Sequence, residues 1–101
     1  MEETKIISST IEQIQETADL FYRNQEQPGY LSLRMTIEDI TQAIDTISQL
    51  ESIDSEAEIA KINGALSEAL NAMQEKDMTL VADILTYDVA DLFKKILEQI
   101  G

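Results

Sequence analysis

Glycine and proline are almost absent from this chain, and their scarcity constrains the fold more than any other feature. The 101 residues include three Gly and one Pro, and two of these four are adjacent, as Pro28 and Gly29. The tight turns of a multi-stranded sheet depend on these residue types, so few such turns can form. The sequence therefore predicts an all-α protein. A chain of this length is expected to form a single domain, residues 1–101, around one core.

Apolar residues recur along most of the chain at alternating spacings of three and four, which places them on one face of an α-helix. This pattern predicts four helices, at about residues 4–24, 30–50, 56–75 and 78–99. The second helix is the most regular. Its apolar seam consists of Leu33, Ile37, Ile40, Ile44 and Ile47.

Short polar segments separate the four helices. Pro28 and Gly29 are expected to form the first turn, because Pro has no N–H to donate and tolerates only the first turn of a helix. Ser55 with Glu58 fits a capping box at the start of the third helix, and Asp77 is a good N-cap for the fourth. Short connections make successive helices antiparallel, so we expect an up-down-up-down four-helix bundle built from two helical hairpins. An open array that closes by dimerising is the alternative.

The charge and residue types narrow the range of functions. Twenty acidic residues against seven basic ones give a net charge of −13, which argues against nucleic acid or an anionic membrane as the partner. The chain has no Cys and no His, so thiol nucleophiles, imidazole bases and the usual zinc sites are absent. We therefore expect no catalytic residues, no cofactor and no small-molecule substrate. The lack of a long apolar segment and of a signal-peptide pattern at the start favours a cytoplasmic protein.

Two helices carry more apolar residues than one stripe needs. Leu31 and Met35 lie nearly opposite the Leu33–Ile47 seam, and the apolar residues of the fourth helix spread over more than half of its circumference. Coverage by neighbouring turns is one explanation, and a partner-binding surface is the other. The residues predicted to contact a partner are Leu31, Met35, Phe93, Leu97 and Ile100.

Asp88 is the most anomalous single residue, because regular helical geometry places it within an apolar arc of the fourth helix. A kink near Thr86 that makes Asp88 a local N-cap would explain it, as would pairing with Arg23, Arg34 or a tyrosine hydroxyl. The functional alternative groups it into a polar cluster that would support at most a weak magnesium or calcium site, and we expect no bound metal. That cluster consists of Asp83, Tyr87, Asp88 and Asp91.

Two stretches carry a resemblance to a known group of proteins. They are Phe21-Tyr22-Arg23-Asn24 with Gly29-Tyr30, and Lys76-Asp77 with Leu80-Val81-Ala82-Asp83-Ile84-Leu85-Thr86-Tyr87-Asp88. The sequence resembles small, acidic, all-helical proteins of Gram-positive bacteria, mostly uncharacterised, some of which are associated with motility genes. The resemblance implies the same bundle and a role closer to small flagellar-type export chaperones than to an enzyme. It brings no active site with it.

The leading hypothesis is a cytoplasmic adaptor or chaperone-like protein that binds a partner helix through apolar surface on the second and fourth helices. The run from Ile37 to Ala60 contains seven acidic residues and no Lys or Arg. Such a run is usually a solvated face, and beside a contact surface it would favour a basic partner. Two alternatives are a homodimer that consumes its surplus apolar surface in self-contact, and an acidic mimic of nucleic acid that binds a basic protein.

Overall fold

Four antiparallel helices make up the computed structural model, which describes residues 2–51 and 53–100. The first three are α1 (Glu2–Tyr22), α2 (Glu26–Ser48) and α3 (Glu56–Gln74). The fourth helix consists of three consecutive segments: α4 (Met78–Asp83), a π-helical segment π1 (Ile84–Val89), and α5 (Ala90–Ile100). These two ranges contain no β-strand, and the all-α prediction is confirmed. None of the helices described is long and apolar enough to cross a membrane.

Hydrogen bonds between helices show the bundle topology. Thr17 contacts Ser32 through their hydroxyl oxygens at 2.6 Å, and the Thr10 hydroxyl donates to the carbonyl of Asp39 at 3.5 Å. Later residues of α2 thus face earlier residues of α1, as antiparallel neighbours do. The end of α1 lies beside the start of the fourth helix, and α3 packs along the fourth helix. The predicted up-down-up-down four-helix bundle is therefore confirmed.

The core is aliphatic, with two phenylalanines as its largest members. All four helices contribute, and each fully buried aliphatic or aromatic side chain stabilises the fold by about 1.5–3 kcal/mol relative to exposure. The largest fully buried apolar side chains are Phe21, Phe93, Ile7, Ile14, Ile40, Ile47, Ile62, Leu85, Ile96, Val81 and Val89.

The two hairpins turn in the same way. Asn24 and Lys76 each adopt the left-handed conformation, with φ of 61°, two residues after the last residue of their helix. The following amides, Gln25 N–H and Asp77 N–H, donate to the carbonyls five residues back, both at 2.9 Å. This is the Schellman arrangement, which satisfies carbonyls that the helix end would leave without partners. The first reversal therefore occurs at residues 23–25, and the predicted turn at Pro28 and Gly29 is wrong.

Pro28 and Gly29 instead lie in the first turn of α2. The helix begins at Glu26, four residues earlier than predicted, and the Gly29 N–H donates to the Gln25 carbonyl at 2.9 Å. Pro28 is accommodated because the first amides of a helix have no intrahelical acceptor, so its missing N–H costs no hydrogen bond. Every other helix end lies within two residues of its predicted position.

The two predicted caps have different outcomes. Asp77 caps the fourth helix as predicted, since its carboxylate accepts the Leu80 N–H at 3.1 Å. Ser55 occupies the N-cap position of α3, but its side chain makes no capping hydrogen bond, so the capping box with Glu58 is wrong. The Asp54 carboxylate accepts the Glu56 N–H there instead, at 3.4 Å.

Candidate functional site

The π-helical segment explains the wide apolar spread of the fourth helix. Val81, Leu85, Val89 and Phe93 follow one another at spacings of four, and all four are fully buried. In a regular α-helix each step of four overshoots a full turn by about 40°, so three steps rotate the stripe by about 120°. The wider turn of π1 absorbs this excess rotation by accommodating an extra residue. The two apolar arcs expected from a regular helix therefore form one buried face.

This geometry changes the predicted partner surface on the fourth helix. Phe93 is fully buried in the core, so it is not available to a partner, and its prediction as a contact residue is wrong. Leu97 and Ile100 are half-buried and pack against the core. On the fourth helix, Leu80 and Tyr87 are the large apolar or aromatic side chains that remain exposed among the described residues.

Leu31 and Met35 behave differently, because each is 61% exposed. They lie one turn apart on α2, and Glu38, Gln42 and Asp45 continue along the same exposed side. We call these five residues the α2 face. The part nearer the start of α2 is apolar, and the part nearer its end carries two acidic side chains, Glu38 and Asp45.

The α2 face and the end of the fourth helix do not form one continuous patch. A rise of about 1.5 Å per residue places Leu31 and Met35 within about 14 Å of the start of α2. Leu97 and Ile100 lie about 30 Å from the start of the fourth helix, which is at the same end of the bundle. The two predicted sets are therefore separate surfaces.

Asp88 is exposed, so the expectation of a carboxylate within the apolar arc is wrong. The extra residue in π1 rotates Asp88 outwards and leaves Leu85 and Val89 on the core side. An exposed carboxylate is solvated, so Asp88 does not need the predicted capping or pairing partner. Of the two arginines considered for it, Arg23 pairs with Asp19 on its own helix, at 2.9 Å.

The polar cluster predicted on the fourth helix is divided between two sides of that helix. Asp83 accepts a hydrogen bond from the Tyr22 hydroxyl of α1 at 2.5 Å, whereas Tyr87, Asp88 and Asp91 line a groove beside α3. Within residues 2–51 and 53–100, no three His, Cys, Asp or Glu side chains are grouped so that they could hold a metal ion.

The hydrogen bond to Asp83 also shifts the acidity of Tyr22. It raises the pKa of the Tyr22 phenol above the ordinary 10.0, because the carboxylate stabilises the neutral donor, and partial desolvation acts in the same direction. Tyr22 is exposed at the end of α1, so this contact joins α1 to the start of the fourth helix at the protein surface.

A groove runs between α3 and the fourth helix, and we call it the α3 groove. Its volume is about 390 Å³. Ala65 and Leu92 are its most buried lining residues, and at Gly64, which also lines it, a Cβ would meet no side chain and no other helix within 4 Å. The sequence gives only one local sign of this groove, a glycine inside a helix.

Comparison with known proteins identifies a family and nothing beyond it. A family model described as a domain of unknown function (DUF8042) matches residues 2–99. No curated protein and no solved structure is significantly similar to the chain.

Proposed function

The chain belongs to the DUF8042 family, and we propose that it is a non-enzymatic, cytoplasmic protein-interaction module, an adaptor or a chaperone-like protein, that binds a partner helix through the α2 face. The observation that carries the proposal is the exposed pair of Leu31 and Met35, each 61% exposed. Single exposed apolar residues are ordinary on protein surfaces. Two of them stacked one helical turn apart present a shared apolar area that a partner side chain can cover.

The charges around this pair indicate the chemistry of the partner. Glu38 and Asp45 continue the α2 face on the C-terminal side of Met35, and the chain as a whole carries a net charge of −13. A fitting partner is an amphipathic helix with apolar residues against Leu31 and Met35 and Lys or Arg against the acidic part. Charge complementarity of this kind speeds association and selects against acidic competitors.

A pair of variants tests the role of the α2 face. Leu31→Asp with Met35→Asp removes the apolar pair, and Leu80→Asp makes the same kind of change at an exposed leucine of the fourth helix. All these positions are exposed, so each variant should retain the helical circular dichroism of the wild type. Wild type and Leu80→Asp should retain the same proteins from a lysate of the source organism, and the double variant should lose a subset of them.

Photo-crosslinking then identifies the surface that makes the contact. A photoreactive amino acid in place of Met35 should form an adduct within a basic amphipathic helix of one of those proteins, and the same amino acid in place of Leu80 should not. Retention of the same proteins by the double variant would overturn the proposal. If salt alone then releases them, the acidic surface is the binding site, as expected of a mimic of nucleic acid.

A further inference from the structure

The α3 groove has an ordered distribution of charge along its length. The hydrogen bond from the Gln99 side-chain amide to the Glu58 carboxylate, at 3.5 Å, shows which residues of α3 and the fourth helix lie opposite each other along the helix axes. A turn further along lie Lys61 on α3 and Lys95 on the fourth helix, both lining the groove. Seven residues beyond each lysine, about 10 Å along the axis, the lining residues are acidic. These are Glu68 and Asp88.

Between the two ends of the groove, Gly64 and Ala65 form the α3 side, and Asp91 lines the side of the fourth helix. Gly64 lies about midway between the positions of Lys61 and Glu68, and a Cβ there would meet no side chain and no other helix within 4 Å. Packing within the protomer therefore does not require glycine, although glycine inside a helix costs about 1 kcal/mol relative to alanine. A glycine in such a place allows the backbone of another chain to approach closely.

We propose that a second copy of this chain occupies the α3 groove, in a two-fold symmetric dimer whose axis passes near Gly64. A two-fold axis reverses the direction of the groove, so the basic end of one protomer meets the acidic end of the other. Lys61 and Lys95 of one protomer then lie against Glu68 and Asp88 of its partner. The groove of one protomer, with a basic end, small residues on α3 in the middle and an acidic end, is thus complementary to the same groove of a second copy.

The local charge balance favours a copy of this chain over a strongly basic partner. The groove contains two of the seven basic residues of the chain, against three acidic lining residues, Glu68, Asp88 and Asp91, so its local charge is close to neutral. Repulsion between two copies, each with a charge of −13, is therefore reduced at this face by the two lysines. Tyr87, 65% exposed at the acidic end, offers its ring to the lysines that arrive from the partner.

Charge reversal in two complementary variants tests this dimer. Lys61→Glu with Lys95→Glu makes every charged lining residue of the groove acidic, and Glu68→Lys with Asp88→Lys leaves Asp91 as the one acidic residue among those that line it. All four side chains are exposed, so both variants should fold as the wild type does. Light scattering after gel filtration, at an ionic strength that screens the net charge, should give a dimer for the wild type and monomers for each variant alone. An equimolar mixture of the two variants should form a dimer with one copy of each.

Two controls separate this interface from other effects. Lys5→Glu with Arg34→Glu makes the same change in net charge outside the groove, and this variant should remain dimeric. The Leu31→Asp, Met35→Asp variant should also remain dimeric, so a failure of the proposed function leaves this result unaffected. A wild type that is monomeric at all soluble concentrations overturns the proposal, as does a dimer that survives either groove variant or a variant mixture that stays monomeric.

Discussion

The ring of Phe21 lies against the Cα atom of Gly29, so close that a Cβ at position 29 would stand 2.7 Å from Cε1 and 2.9 Å from Cδ1. Phe21 is almost fully buried near the end of α1, and its ring also packs against the Tyr30 ring in a T-shaped arrangement, with ring centroids 5.9 Å apart. The absence of a side chain at Gly29 therefore allows the first hairpin to close tightly onto the aromatic ring.

We expect Gly29→Ala to destabilise the protein. The methyl group must displace the Phe21 ring from a packed position, and overpacking of this kind costs about 1–3 kcal/mol. The better helix propensity of alanine offsets up to about 1 kcal/mol of that cost. Urea unfolding should therefore show a net loss of about 1–2 kcal/mol in the free energy of unfolding.

Gly64→Ala is the matched control, because the same methyl group meets open space there. At protein concentrations where the chain is monomeric, we expect this variant to gain up to about 1 kcal/mol in the free energy of unfolding. A Gly29→Ala protein as stable as the wild type would contradict the close approach of Phe21.

The second prediction concerns the hydroxyl groups buried between α1 and α2. The Thr17 hydroxyl contacts the hydroxyls of Thr36 at 2.8 Å and Ser32 at 2.6 Å. Thr17→Val removes the hydrogen-bond partner of the fully buried Thr36, and an unsatisfied buried hydroxyl costs about 1–3 kcal/mol. Thr17→Val with Thr36→Val removes both groups together, so it should cost less than the sum of the two single variants.

A double-mutant cycle by urea unfolding measures this coupling. The matched control is Thr41→Val, since the Thr41 hydroxyl is exposed and bonds only within its own helix, to the Ile37 carbonyl at 2.9 Å. Additive effects of Thr17→Val and Thr36→Val would show that the two hydroxyls do not depend on each other.

The strictly periodic parts of the fold were predictable from the sequence, and the part that departs from regular helical geometry was not. The seam of α2 follows spacings of three and four, and its members Leu33, Ile40 and Ile47 are buried as predicted. On the fourth helix, the repeated spacing of four at Leu85 and Val89 signals an extra residue. An analysis that assumes 3.6 residues per turn throughout misses this signal, because it places the apolar residues of the fourth helix on two different faces.

The candidate sites were harder to predict, because they depend on which helices become neighbours. The exposure of Leu31 and Met35 follows from their position opposite the α2 seam, and the structure agrees. The α3 groove combines Lys61 with Lys95, which are far apart in the sequence, so no local pattern shows that they stand level. From the sequence alone, Gly64 shows only that α3 contains a residue with low helix propensity.

The third prediction tests the extra residue in π1 by removing it. Deletion of the exposed Asp88 converts the spacings of four around Leu85, Val89 and Phe93 into the three-and-four pattern of a regular α-helix. The same apolar side chains then remain on the core side. We expect cooperative thermal unfolding and a free energy of unfolding within about 1 kcal/mol of the wild type.

Deletion of Gln15 is the control, since this exposed residue lies in the regular helix α1. No π turn is present there to absorb the change, so Ala18 and Phe21 rotate away from the core by about 100°. This deletion should cost at least about 3 kcal/mol, the loss expected when a buried phenylalanine leaves its site. Equal destabilisation by the two deletions would show that π1 does not accommodate an extra residue.

The last prediction concerns Tyr22 and its hydrogen bond to Asp83. The folded protein raises the pKa of Tyr22 above 10.0, because the Asp83 carboxylate accepts a hydrogen bond from the neutral phenol, and the folded state thereby favours the protonated form. The contribution of this pair to stability is therefore fully present below the unfolded pKa near 10 and is lost as the pH rises through the folded pKa.

Tyr30→Phe with Tyr87→Phe leaves Tyr22 as the sole tyrosine of the chain, and its ionisation can then be followed by ultraviolet absorbance. In that background Asp83→Asn should lower the titration midpoint, whereas Asp91→Asn, a change to a carboxylate elsewhere on the same helix, should not. A midpoint that Asp83→Asn leaves unchanged would show that Asp83 does not hold the Tyr22 proton in the folded protein.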